Sequence, residues 1–249
     1  MSLPFDYDLH LTEIPGKDDR VMICLHGYGA NFEIGYALAS LQCISSTIVS
    51  FNLPDHDLWQ SDLAQRPPSL GTFDELLPIF YVLKRYCLDQ KRDVIDLYGF
   101  SAGGAALINA LVVLHRQEHL KMLQTLNIGP IEIAQILSAI QKGRIILDAP
   151  LKSVDEILEV KGSSPDFEIL AKNYQANGFR PIDSVQKLDG LKLTIYLYFE
   201  IGDEILTNRD DALFIQRLQT ANHLGTTHVL SGSFGGHNYP HLSLWRAIK

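Results

Sequence analysis

Six short apolar runs rich in Val, Ile and Tyr, at residues 20–25, 46–53, 93–98, 144–147, 192–199 and 227–230, alternate with longer stretches of helical period at 73–87, 102–115, 130–140, 209–223 and 239–248. Runs of this length without strict polar alternation read as strands covered on both faces. Strand and helix in alternation predict an α/β fold, a mostly parallel central sheet with helices on both faces. Residues 7–14 alternate polar and apolar types and stop at Pro15-Gly16, as an antiparallel edge strand would.

One interval breaks the rhythm. Residues 151–191 separate two strands that a single short crossover would normally join. Within that interval Ser163-Ser164-Pro165-Asp166 is a helix start, with proline at the first helical position and an acid near the positive end of the helix dipole. A chain of 249 residues, 46% of them hydrophobic, is the size of one core. The expectation is a single domain over 1–249, with a small, partly helical lid at 151–191 inserted before the penultimate strand.

Charge and composition exclude several partner classes. The formal charge of -8 comes from 29 acidic and 21 basic residues with no lysine or arginine block, which argues against nucleic acid. The first ten residues lack the charged start and apolar run of a signal peptide, and no apolar stretch nears the roughly 20 residues of a membrane helix. A cytoplasmic protein is expected. Cys24, Cys43 and Cys87 are odd in number and widely spaced, so they read as buried free thiols with no disulfide or zinc site. No metal or cofactor is expected, and the oligomeric state is left open.

The chemistry concentrates in Tyr98-Gly99-Phe100-Ser101-Ala102-Gly103-Gly104, where a strand runs through Gly-x-Ser-x-Gly into a helix. A serine on that sharp turn has its hydroxyl pushed off the sheet edge as a nucleophile. The residues two before and two after it come close together, so Gly99 and Gly103 are steric requirements. The free N–H groups of the helix N-terminus face developing negative charge, which makes the Ala102 N–H the first oxyanion donor. A serine that only caps the helix would not need glycines on both sides.

An earlier strand ends in His26-Gly27-Tyr28-Gly29. With the serine turn, this resembles the α/β-hydrolase fold family of esterase- and lipase-like serine hydrolases, and the resemblance runs from about Val21 to the C-terminus without identifying a subfamily. It implies that the residue after His-Gly, Tyr28, supplies the second oxyanion N–H from its backbone, and that His26 shapes the loop and is not the general base. Asn52-Leu53-Pro54-Asp55-His56-Asp57 is similar to a Leu-Pro-Gly-His-Gly loop of the family, with aspartate at both glycines, and no chemistry is assigned to it.

A serine hydroxyl needs a base near neutrality, usually imidazole. His237, in Gly235-Gly236-His237-Asn238 between the last strand and the last helix, stands where the family's histidine reaches the serine. His241 is the nearby alternative, and its spacing from His237 lacks the third ligand a metal site would need. The family's chain order implies a carboxylate between serine and histidine at a strand end, which is Asp203, with Glu200 and Glu204 as competitors.

The resemblance therefore implies hydrolysis of a carboxylic ester or related small-molecule acyl substrate through an acyl-serine. Thioesterase or peptidase action on the same triad, other chemistry such as lyase, haloperoxidase or acyltransferase activity, and ligand binding without turnover are the alternatives. Ile157, Leu158, Phe167, Leu170, Tyr174 and Phe179 in the lid admit two readings: lining a pocket onto Ser101, or packing lid against core.

Overall fold

The structure is a computed structural model, and it describes residues 9–41, 43–54, 69–162, 165–233, 236–237 and 240–248. Its elements run β1 (Thr12–Ile14), β2 (Val21–Leu25), α1 (Ile34–Ser40), β3 (Thr47–Ser50), α2 (Phe73–Lys84), β4 (Ile95–Phe100), α3 (Ala102–Arg116), α4 (Leu120–Thr125), α5 (Pro130–Lys142) and β5 (Ile145–Asp148). They continue with α6 (Val154–Lys161), α7 (Pro165–Ala176), α8 (Pro181–Ser184), β6 (Thr194–Glu200), α9 (Asp211–Ala221), β7 (Thr226–Gly232) and α10 (Leu242–Ala247).

The strands form one seven-stranded sheet in the order β1-β3-β2-β4-β5-β6-β7. All neighbours are parallel except β1, which pairs antiparallel with β3 through Thr12↔Ser50 and Ile14↔Ile48. The expected edge strand is therefore present at its C-terminal half, while residues 7 and 8 lie outside the described residues.

Burial on both faces is visible within β2 itself. Val21, Ile23 and Leu25 enter one apolar cluster with α2, α3 and α5, while Met22 and Cys24 enter another with Ile34, Leu38, Tyr98 and Trp245. Each such side chain contributes about 1.5–3 kcal/mol on full burial. The helix after the serine, α3, is buried at every position from Ala102 to Leu114, with Asn109 the one polar side chain in that span, so it is covered all round and not amphipathic there.

The order of strands positions the site. The chain passes from β2 outward to β3, then returns to place β4 on the other side of β2, with Leu25 opposite Gly99. At such a reversal the loops after the two adjacent strands separate and open a crevice at their carboxyl ends. Those two loops carry His26-Gly27-Tyr28 and Ser101.

Some expectations need correction. The run 227–230 was expected to be a buried strand, but β7 is the sheet edge, paired only to β6 and largely exposed along its length. Its apolar residues looked like a covered strand because a short run carries no information on how many neighbours it will have. Only Cys24 is fully buried, whereas Cys43 and Cys87 are half-buried. Two short helices, α1 and α4, had no clear periodic signal. Helix α7 starts at Pro165 as expected, with Ser163 and Ser164 outside the described residues. So are Asp55, His56 and Asp57, and residue 239 at the expected start of the last helix.

The six apolar residues singled out in 151–191 pack inward. Leu170, Tyr174 and Phe179 belong to the main core, and Ile157, Leu158 and Phe167 pack against it. Among the described residues, no helix is long and apolar enough to cross a membrane.

Candidate active site

Ser101 sits between β4 and α3 with φ 51° and ψ -117°, a backbone conformation that few residues other than glycine adopt. It is held there from several sides. Its N–H donates to the Asp148 carbonyl (3.0 Å), and its own carbonyl accepts from Leu151 N–H (2.9 Å) and Gly104 N–H (3.0 Å).

The flanking glycines admit no side chain. A Cβ on Gly99 would lie 2.7 Å from the Gly103 carbonyl oxygen and the Gly104 Cα, and one on Gly103 would lie 2.5 Å from the His26 carbonyl oxygen. Gly103 thus lets the first turn of α3 press directly on the end of β2. A Cβ on Gly27 would meet Ser101 Cβ at 3.1 Å, so the His-Gly loop adjoins the serine. Tyr28 follows in that loop and is 37% exposed.

His26 is fully buried and turned away from the serine. Its Nε2 accepts from Leu53 N–H (2.9 Å) and its Nδ1 donates to the Gly27 carbonyl (2.8 Å), which uses both nitrogens of a neutral ring to shape the loop.

His237 stands over the serine. Its Nε2 lies 3.0 Å from Ser101 Oγ and its Nδ1 lies 2.6 Å from Asp203 Oδ2. The other carboxylate oxygen, Oδ1, accepts from the N–H groups of Ile205 and Leu206, each at 2.8 Å. Burial alone would raise the Asp203 carboxyl, but the His237 hydrogen bond and charge and these two N–H donors together hold it below the usual aspartate range. An ionised carboxylate only accepts, so the proton of the pair resides on Nδ1 and Nε2 presents its lone pair to the hydroxyl.

The competing carboxylates face elsewhere. Glu200 is buried and accepts from the Tyr198 hydroxyl (2.5 Å), while exposed Glu204 reaches the backbone N–H of His237 (3.4 Å). The segment between β6 and α9 is fastened by Lys152, whose ammonium is buried, donates to the Thr207 carbonyl (2.9 Å) and pairs with Asp211 and Glu156.

No protein-family model and no curated protein matches the sequence. Solved structures do. A lipase-esterase related protein from Clostridium acetobutylicum is 13% identical at a TM-score of 0.58, with 93% of each chain covered. The monoacylglycerol lipase of Paleococcus ferrophilus is 12% identical at 0.58, covering 97% of each chain. A lipase/esterase from Lactobacillus plantarum is 14% identical at 0.58, over 94% of this chain and 89% of that one.

The chain has the α/β-hydrolase fold. Within that fold, the described residues include polar groups near the serine that sequence reasoning passed over. Asp148 ends β5 one residue beyond the run expected at 144–147, and it binds His241. A carboxylate closing a buried Ile-Ile-Leu strand at the carboxyl edge was the available signal. His241 was weighed only as a substitute base or a metal ligand. Among the described residues, no group of three His, Cys, Asp or Glu side chains could hold a metal ion.

Proposed function

We propose that this protein is a serine hydrolase that cleaves a carboxylic ester or related small-molecule acyl substrate through an acyl-serine intermediate. The observation that carries the reading is the continuous line from Ser101 Oγ to His237 Nε2 (3.0 Å) and from His237 Nδ1 to Asp203 (2.6 Å). The esterase and lipase structures that share the fold support the same class of chemistry.

His237 takes the hydroxyl proton as Ser101 Oγ attacks the acyl carbon. Asp203 holds the imidazole in the tautomer that leaves Nε2 free and stabilises the imidazolium that forms. The carbonyl oxygen gathers negative charge in the tetrahedral intermediate, where the N–H groups of Tyr28 and Ala102 receive it. His237 then returns the proton to the leaving alcohol, and water, deprotonated by the same ring, releases the acid from the acyl-serine.

In this reading residues 151–191 are a cap within a single domain. The Leu151 N–H bond to Ser101 and the Asn173 side-chain bond to the Leu70 carbonyl (3.2 Å) tie the cap to the body.

Hydrolysis of short-chain p-nitrophenyl esters by wild type and Ser101→Ala tests the proposal. Turnover by wild type with at least about a 10³-fold loss in the variant is expected. Equal rates would remove Ser101 from the chemistry, and no turnover across esters, thioesters and amides would favour a binding protein on the same fold.

A further inference from the structure

Below His237 lies a second carboxylate–imidazole pair that the proposed mechanism does not use. Asp148 is fully buried at the end of β5, and His241, at the start of α10, is 4% exposed. His241 Nδ1 lies 2.5 Å from Asp148 Oδ1, while Asp148 Oδ2 accepts from the Tyr98 hydroxyl (2.6 Å) and the His241 N–H (3.4 Å). On its other side, His241 Nε2 lies 3.0 Å from the carbonyl of Gly236, the residue immediately before His237.

We infer that His241 is a positioning residue: gripped by Asp148, it donates from Nε2 to the Gly236 carbonyl and so fixes the loop that presents His237 to Ser101. The inference rests on the reading of His237 as the general base. Both ring nitrogens of His241 face acceptors, and only the imidazolium donates from both at once. Both oxygens of Asp148 face donors, Nδ1 of His241 on one and the Tyr98 hydroxyl and His241 N–H on the other.

The charged and titratable surroundings agree. Facing the ring are Asp148 from β5, Tyr98 from β4, and Tyr198 and Glu200 from β6, with Glu200 Oε2 3.9 Å from Nε2. Burial would lower the His241 imidazole, but the Asp148 hydrogen bond and charge, the Gly236 carbonyl and the charge of Glu200 raise it above the ordinary histidine value. Phe100 separates it from His237, its ring centroid 5.0 Å from the His237 ring and 6.2 Å from the His241 ring. Among the described residues, the backbone N–H of His237 meets Glu204 at 3.4 Å, and the carbonyl just before it is the one His241 reaches.

Two substitutions separate positioning from packing. In His241→Asn the shorter amide can donate to Asp148 but not reach Gly236. In His241→Gln the amide nitrogen takes the place of Nε2 and keeps the Gly236 bond. On a p-nitrophenyl ester, His241→Asn should lower kcat by about 10- to 100-fold at unchanged KM, as a small misplacement of a reacting group does. His241→Gln should recover most of the loss, and amide exchange near His237 should rise in the Asn variant only.

Equal activity of the two variants, or a wild-type rate and wild-type exchange in His241→Asn, would overturn the inference. Imidazole ¹⁵N spectra of the wild type cover the case of variants that do not fold: protons on both His241 nitrogens at pH 7 are expected, and a bare Nε2 would refute the clamp. If the wild type turns over no acyl substrate, the hydrolase reading falls by itself, and the exchange and ¹⁵N results still decide whether His241 holds the loop.

Discussion

The amide of Ser101 donates to the main-chain carbonyl of Asp148 across 3.0 Å, so the strained serine is pinned by the same residue whose carboxylate grips His241. A non-glycine residue at positive φ costs on the order of 1–3 kcal/mol and persists only where its surroundings over-determine it. Here the end of β5 braces the serine turn directly and reaches the His237 loop through His241. Ser101 and the His237 loop therefore share one support.

Asp203→Asn reports on the assignment of the acid. The amide in place of the carboxylate favours the wrong imidazole tautomer, so kcat should fall by about 10³-fold or more with little change in unfolding midpoint. Glu204→Gln, at a carboxylate that reaches the backbone N–H of His237, should stay within about threefold, a loss too small for a member of the triad. Steady-state kinetics of the two variants side by side would reveal a reversed order if Glu204 were the acid.

Gly103→Ala measures how tightly the first turn of α3 presses on β2. The new methyl would stand 2.5 Å from the His26 carbonyl oxygen and 2.6 Å from that of Leu25, both backbone atoms that cannot rotate away. A loss of about 1–3 kcal/mol is expected from overpacking of this kind. An unchanged urea midpoint would mean that the strand and helix are not in contact there.

Glu75 gives stability a pH dependence. Its carboxyl is fully buried, and burial pushes it up to about 8 even though the Gly71 N–H bond opposes the rise. The folded state thus holds a proton that the unfolded chain releases near pH 4.3. The stability this contributes is complete below that unfolded value and is lost as pH rises toward 8. Glu75→Gln should gain in Tm relative to wild type as pH goes from 5 to 8, and a Tm difference independent of pH would contradict the buried acid.

Thiol reactivity separates the three cysteines. Burial pushes the Cys87 thiol up to about 12 and raises that of Cys24 well above its ordinary value, with the Asp96 charge adding to the latter. Ellman's reagent at pH 8 should therefore spare both in the native protein and modify at most Cys43. Rapid release of three equivalents without denaturant would show that the core around β2 is open.

Much of the architecture was legible because the signals were local. The glycines at 99 and 103 mark a turn that little else can occupy, and the apolar runs on either side give its strand and helix. The edge position of β7 was not legible, because a strand of Thr, His, Val and Leu reads alike with one neighbour or two. Asp203 could not be separated from Glu200 and Glu204 by residue type. Its place depends on the turn at Gly202, with φ 85°, which sends three nearby carboxylates in different directions. Nor could the Asp148–His241 pair be read, since 93 residues separate partners that only the completed sheet brings together.

The most direct test is covalent. Wild-type protein treated with a fluorophosphonate at neutral pH should gain the mass of one phosphonyl group, mapped by peptide sequencing to Ser101 and slowed strongly in His237→Ala. A protein that remains unmodified, or that carries the group on another residue, would contradict an activated serine at the turn between β4 and α3.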